Sequence, residues 1–89
     1  MVRLYVRHTV NDYEAWRRAY DDFDAERRTM GVTGAAVYRA LDNGNDVTVS
    51  HDFADEAAAR AFVADQRLAE AMKKAGVAGP PTMWFTSPA

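Results

Sequence analysis

Apolar and polar residues alternate along Val2 to Val10: Val2, Leu4, Val6, His8 and Val10 fall on one side, and Arg3, Tyr5, Arg7 and Thr9 on the other. A period of two sends successive side chains to opposite faces, so this run predicts a strand with two unlike faces. The period then changes. Tyr13, Trp16, Tyr20, Phe23, Arg27 and Met30 recur at steps of three and four and form one helical stripe. Asn11 and Glu14 have the spacing of a capping box, and Gly31 stands where a helix end favours a left-handed residue. The first helix is therefore expected over about Asp12 to Met30.

Val32 to Leu41 predicts a second strand, weakened by Gly34 and its alanines. The segment Asp42-Asn43-Gly44-Asn45-Asp46 predicts a hairpin with Asn-Gly supplying positive φ. Alternation returns in Val47 to Phe53, with Val47, Val49, His51 and Phe53 set against Thr48, Ser50 and Asp52. Asp55 caps an alanine-rich second helix anchored by Phe62, Leu68 and Met72, with a jog expected near Asp65 to Arg67. Gly76 and Gly79-Pro80-Pro81 end that helix, and Thr82 to Thr86 complete the strands. The order β-α-β-β-α-β predicts an α+β, ferredoxin-like plait with antiparallel sheet order 4-1-3-2, one domain over residues 1–89.

In that plait the first and third strands are central neighbours, and pairing Val6 near Val49 keeps like faces together. The face of Val2, Leu4, Val6, His8, Val47, Val49, His51 and Phe53 is then the one covered by helices, joined by Met83 and Phe85. The other face holds Arg3, Tyr5, Arg7, Thr9, Thr48, Ser50, Asp52, Trp84 and Tyr38. Arg, Tyr and Trp are the types enriched at interface anchors, so Arg3, Tyr5, Arg7 and Trp84 are expected to bury against a second copy.

Composition sharpens this expectation. The chain has 89 residues, 48% of them hydrophobic, and no cysteine. A core this small is commonly supplemented, and neither a disulfide nor a thiolate metal site is open to it, which leaves a homodimer. The net charge of −2, with signs interspersed, gives no footprint for nucleic acid or an anionic membrane surface. No stretch approaches a membrane span or a signal peptide, so the cytoplasm is the expected compartment.

His51 lies among valines and Phe53, where a neutral imidazole needs a partner. It reads either as a hydrogen-bonded core histidine or as a general acid/base. His8 carries the same two readings. The two are offset by about four residues along paired strands, more than about 10 Å, which argues against a shared metal. Tyr13, Trp16, Tyr20 and Phe23 read as core or as a surface for stacking a phenol or quinone, with Tyr20 orienting a substrate oxygen. The acidic residues Asp21, Asp22, Asp24 and Glu26 are balanced by Arg17, Arg18, Arg27 and Arg28 at helical spacing, and no metal or cofactor is expected. No nucleophile motif, phosphate loop or dinucleotide fingerprint occurs.

Four segments carry a family resemblance: His8 to Trp16; Gly31-Val32-Thr33-Gly34 leading into Val37-Tyr38-Arg39; Phe53 to Phe62; and Ala71-Met72 through Gly79-Pro80-Pro81. Together they resemble the antibiotic biosynthesis monooxygenases, small dimeric α/β-barrel proteins also labelled cyclases. The resemblance implies a barrel dimer with a cavity between sheet and helices in each subunit. Its implied lining is His8, His51, Tyr13, Trp16, Tyr20, Phe23, Phe53, Phe62 and Met72. It further implies a small aromatic or polyketide-like ligand and cofactor-free oxygenation or cyclisation, with His51 and His8 as the catalytic candidates. Anthrone-oxidising relatives carry tryptophan where this chain has Phe53. Haem-degrading relatives carry a histidine on the second helix, and residues 55–75 contain none. A non-catalytic ligand-binding dimer and a structural dimer with a filled core stand beside the enzymatic reading. A cavity of several hundred Å³ separates the first two readings from the third.

Overall fold

The computed structural model describes residues 1–89. Its elements run β1 (Val2–Val10), α1 (Tyr13–Asp22), α2 (Asp24–Thr29), β2 (Gly34–Ala40), β3 (Asn43–Phe53), α3 (Glu56–Ala64), α4 (Gln66–Lys74) and β4 (Val77–Thr86). The four strands form one sheet in the order β2-β3-β1-β4, with every neighbouring pair antiparallel. This is the expected ferredoxin-like α+β topology read from its other edge. Val6 pairs with Val49, and the register carries His51 opposite Leu4 and His8 opposite Val47. Leu4, Val6, Val10, Val47, Val49 and Phe53 are buried beneath the helices, as alternation required.

Four local expectations are corrected. The first helix is broken at Phe23, whose N–H is shared between the carbonyls of Ala19 and Tyr20, each at 3.2 Å. A straight helix would give the Tyr20 carbonyl to the backbone of Asp24; here the Arg27 guanidinium takes it at 2.6 Å. Secondly, the cap of α1 is Asp12, which accepts from the Ala15 N–H, and not Asn11. The Asn11 backbone N–H donates instead to the Gly76 carbonyl.

Thirdly, the hairpin turns at Leu41-Asp42, and Asn43 already pairs with Ala40. Residues 44–46 bulge out of the β2–β3 ladder, although Asp46 still pairs with Thr9 of β1, and Gly44 does not have positive φ. Gly44 is instead approached closely by the far end of a flexible side chain. A Cβ on Gly44 would lie 2.5 Å from the Arg39 guanidinium, whose Nε donates to the Gly44 carbonyl at 2.9 Å. Fourthly, β4 begins at Val77, ahead of the prolines. The β1–β4 register jumps from Arg7↔Thr82 to Thr9↔Ala78, so Gly79, Pro80 and Pro81 arch away opposite His8. An edge strand tolerates such a bulge because its outer N–H groups have no partner to lose.

The jog in the second helix is present. Asp55 caps α3 through the Ala58 N–H, and Asp65 ends α3 while capping α4 through the Arg67 N–H. Gly31 has φ +102°, the left-handed residue expected beyond the first helical segment. Two apolar clusters fill the space between sheet and helices. One gathers Leu4, Val6, Val32, Phe53, Ala59, Phe62 and Leu68; the other gathers Val10, Trp16, Val47 and Val49.

Candidate functional site

Where the two clusters meet, sheet and helices leave a partly open cavity of about 50 Å³. β1 supplies Val6 and His8, and β3 supplies Val49 and His51. α1 and the turn after it contribute Trp16, Ala19, Tyr20 and Phe23, α2 contributes Arg27, and α4 with Ala75 at its end closes the far side with Leu68, Ala71 and Met72. Side chains from the two central strands and three helical segments therefore converge on one small volume. No carboxylate lines it.

The aromatic rings form a relay between the histidines. The His8 ring meets Trp16 edge-on at 5.8 Å, Trp16 stacks on Tyr20 at 4.9 Å, and Tyr20 faces His51 at 6.4 Å. The four-residue offset between His8 and His51 was legible from alternation, but the ring chain that joins them was not. Phe62 closes the far side of the His51 imidazole at 5.1 Å.

No protein group hydrogen-bonds to either ring nitrogen of His8 or His51, although both side chains are buried. Burial disfavours the charged imidazole, and the Arg27 cation adds to the effect at His51, outweighing the opposite pull of Asp52. The His51 pKa is lowered to about 4, and that of His8 is lowered by burial. Both rings are thus neutral near pH 7. The Tyr20 hydroxyl is pushed up by burial, with Arg27 and Arg17 opposing.

Of the residues expected to line the cavity, His8, His51, Trp16, Tyr20, Phe23 and Met72 do so. Three do not. Phe53 is fully buried in the larger apolar cluster against Phe62, and Phe62 reaches the site through its contact with His51. Tyr13 lies to the outside, where the Arg39 guanidinium covers its ring at 3.7 Å. A helical stripe fixes the side of a residue but not its depth under the neighbouring element, so these three were grouped with the lining. Arg27 was the charged lining residue missed. Its signal was in the sequence, as the one charged member of an otherwise apolar stripe.

On the opposite face of the sheet, Arg3 pairs with Asp52 at 2.6 Å and Arg7 with Asp46 at 2.6 Å. Tyr5 and Trp84 stack at 5.3 Å, and Trp84 and Tyr38 remain 40% and 56% exposed. No group of three or more His, Asp or Glu side chains converges on a point that could hold a metal ion. No helix is long and apolar enough to cross a membrane.

No family model matches the chain, and no curated protein sequence matches it. Solved structures do. A Bordetella bronchiseptica protein assigned to the antibiotic biosynthesis monooxygenases superposes with TM-score 0.84 at 15% identity, over 99% of this chain and 96% of its own. SnoaB, a cofactor-independent oxygenase from Streptomyces nogalater, gives 0.80 at 15% identity, over 99% and 92%. The ActVA-Orf6 monooxygenase of Streptomyces coelicolor, in complex with nanaomycin D, gives 0.69 at 21% identity, over 99% and 87%. The chain therefore has the ferredoxin-like fold of the antibiotic biosynthesis monooxygenases, the group its sequence resembles.

Proposed function

We propose that this protein binds a small aromatic or polyketide-like molecule between sheet and helices and oxygenates it without a bound cofactor. The observation that carries the reading is the pair of buried, neutral imidazoles with no protein partner, set in an aromatic cavity. A buried polar ring without a hydrogen bond costs about 1–3 kcal/mol, a cost a ligand oxygen would relieve. In this reading His51 takes a proton from an acidic C–H or O–H of the substrate. The resulting anion reduces dioxygen, so that a ring CH₂ and O₂ become a C=O and water. Charge formed on the substrate in turn stabilises the imidazolium, which the empty cavity disfavours. Trp16, Tyr20 and Phe23 stack on the substrate and keep water out.

The cavity volume bears on this reading. About 50 Å³ holds a few water molecules and is far below the several hundred Å³ of a drug-sized ligand. Substrate admission therefore requires α4 to swing outward with Leu68 and Met72. The break at Asp65, which separates α4 from α3, is where such a swing would pivot. The same volume favours a second reading, a structural dimer with a filled core. In both readings the single-domain chains pair through Arg3, Tyr5, Arg7 and Trp84, because Trp84 and Tyr38 leave an aromatic surface exposed beside satisfied ion pairs.

Oxygen uptake with a panel of anthrones and naphthols tests the proposal. Uptake by the wild type, lost in His51→Phe while fold and assembly persist, is the expected result. Binding without uptake would leave a ligand-binding protein, and no binding by any member would leave the filled-core dimer.

A further inference from the structure

Arg27 is the charged group in the interior that the proposed proton transfer does not use. Its side chain is 4% exposed. Nη1 donates to the Tyr20 carbonyl at 2.6 Å, and Nη2 reaches Asp24 at 3.4 Å. Asp24 is half-exposed and is held more closely by Arg28, at 3.0 Å, so it neutralises Arg27 weakly. Nε is buried with no protein partner. The guanidinium plane lies over the Tyr20 ring at 3.7 Å, and Phe23 flanks it at 5.9 Å.

An arginine keeps its charge in any protein environment. A buried cation is strongly destabilising unless an anion or a full set of acceptors meets it. Here the cavity wall beside it contains no carboxylate, and the neighbouring titratable groups are His51, His8 and Tyr20. Across the sheet, Asp52 is engaged by Arg3 on the other face. The cavity is thus an apolar, aromatic space with one under-neutralised cation in its wall, whose buried Nε has no acceptor. That combination is complementary to an aromatic molecule bearing one negative oxygen.

We propose that Arg27 is the anion-binding residue of this cavity, pairing with the phenolate or enolate oxygen of the aromatic ligand. The inference rests on the aromatic-cavity reading above and adds to it the charge state in which the ligand is held. It also divides the labour. His51 accepts the proton, and Arg27 holds the charge left behind on the oxygen. The kinked backbone at Phe23 belongs to the same device, because it frees the Tyr20 carbonyl that steers the guanidinium inward.

The probe is 4-nitrophenol, whose phenolate absorbs at longer wavelength than its neutral form. Its ionisation is followed by absorbance, free and in the presence of excess protein, from about pH 5.5 to pH 9. The His51 pKa of about 4 and the raised one of Tyr20 keep those two groups neutral across this range, burial favours the neutral form of His8, and phenolate absorbance reports the probe alone. A cation within hydrogen-bonding distance should lower the bound phenol's pKa by about one unit or more. That corresponds to phenolate binding about tenfold more tightly than phenol. Arg27→Met should abolish the preference, and Arg27→Lys should keep a large part of it. If the wild-type protein binds the probe with its ionisation unmoved or raised, the Arg27 assignment falls while the aromatic cavity stands. This arm does not depend on whether Arg27→Met folds. If the wild-type protein fails to bind 4-nitrophenol at millimolar concentration, both readings fall together.

Discussion

Acidification should expose the cost of keeping His51 neutral. The unfolded chain takes up this proton near the ordinary histidine value of 6.5, whereas burial holds the folded imidazole uncharged down to about pH 4. Between these values the unfolded state binds more protons than the folded state. Stability attributable to His51 is therefore whole above pH 6.5 and drains as pH falls toward 4. Each unit of difference is worth about 1.4 kcal/mol, so moving from about pH 7 to about pH 4.5 should remove about 2 kcal/mol through this residue. His8 shifts in the same direction and enlarges the loss. Asp46, Asp52 and Asp65 are held below the usual carboxylate range by Arg7, Arg3 and Arg67, and their contributions drain mostly on the acid side of this window. Urea unfolding followed by tryptophan fluorescence at the two pH values measures the loss. His51→Phe should keep the fold, since a phenyl ring can extend into the adjacent cavity, and should lose about 2 kcal/mol less than the wild type on acidification. Equal acid sensitivity in variant and wild type would refute the buried, neutral assignment of His51.

Trp16 is 3% exposed and bridges His8 and Tyr20, so Trp16→Ala should cost about 3–5 kcal/mol in urea unfolding; a loss below about 1 kcal/mol would mean that the stripe of α1 does not bury this ring. Light scattering at micromolar concentration should give the mass of two chains, and Trp84→Asp should shift the protein toward one. A wild-type mass of a single chain would remove the proposed interface.

Strand faces and register were the most legible features, because a period of two admits one choice of face for each run. Pairing Val6 with Val49 then put His8 and His51 on the helix side without further information. The jog at Asp65 was legible for a related reason: an aspartate inside an alanine-rich helix can end one segment and cap the next. The break at Phe23 was not. No glycine or proline marks it, and it depends on a guanidinium folding back from the next turn onto the Tyr20 carbonyl. The bulges at residues 44–46 and 79–81 were hidden for a comparable reason. Asn-Gly and Gly-Pro-Pro look like turns locally, and the paired residues on either side hold them within strands as bulges. Within the site, the histidines were found because polarity stands out on an apolar strand. Phe53, Phe62 and Tyr13 were misplaced because depth beneath a helix leaves no trace in periodicity.

The arch at Gly79-Pro80-Pro81 has a consequence for self-addition at high concentration. An uncovered strand margin offers unpaired N–H and C=O groups to any extended chain, and stacking margin on margin can continue without limit. Continuous growth needs two receptive margins on every copy. On the β4 margin two successive residues lack an N–H and the backbone bows away from the ladder, so an incoming strand finds only the short run from Thr82 to Thr86. The β2 margin contains no proline and stays receptive. With one receptive side per molecule, any edge-to-edge addition through β2 would stop at two copies instead of growing into a polymer.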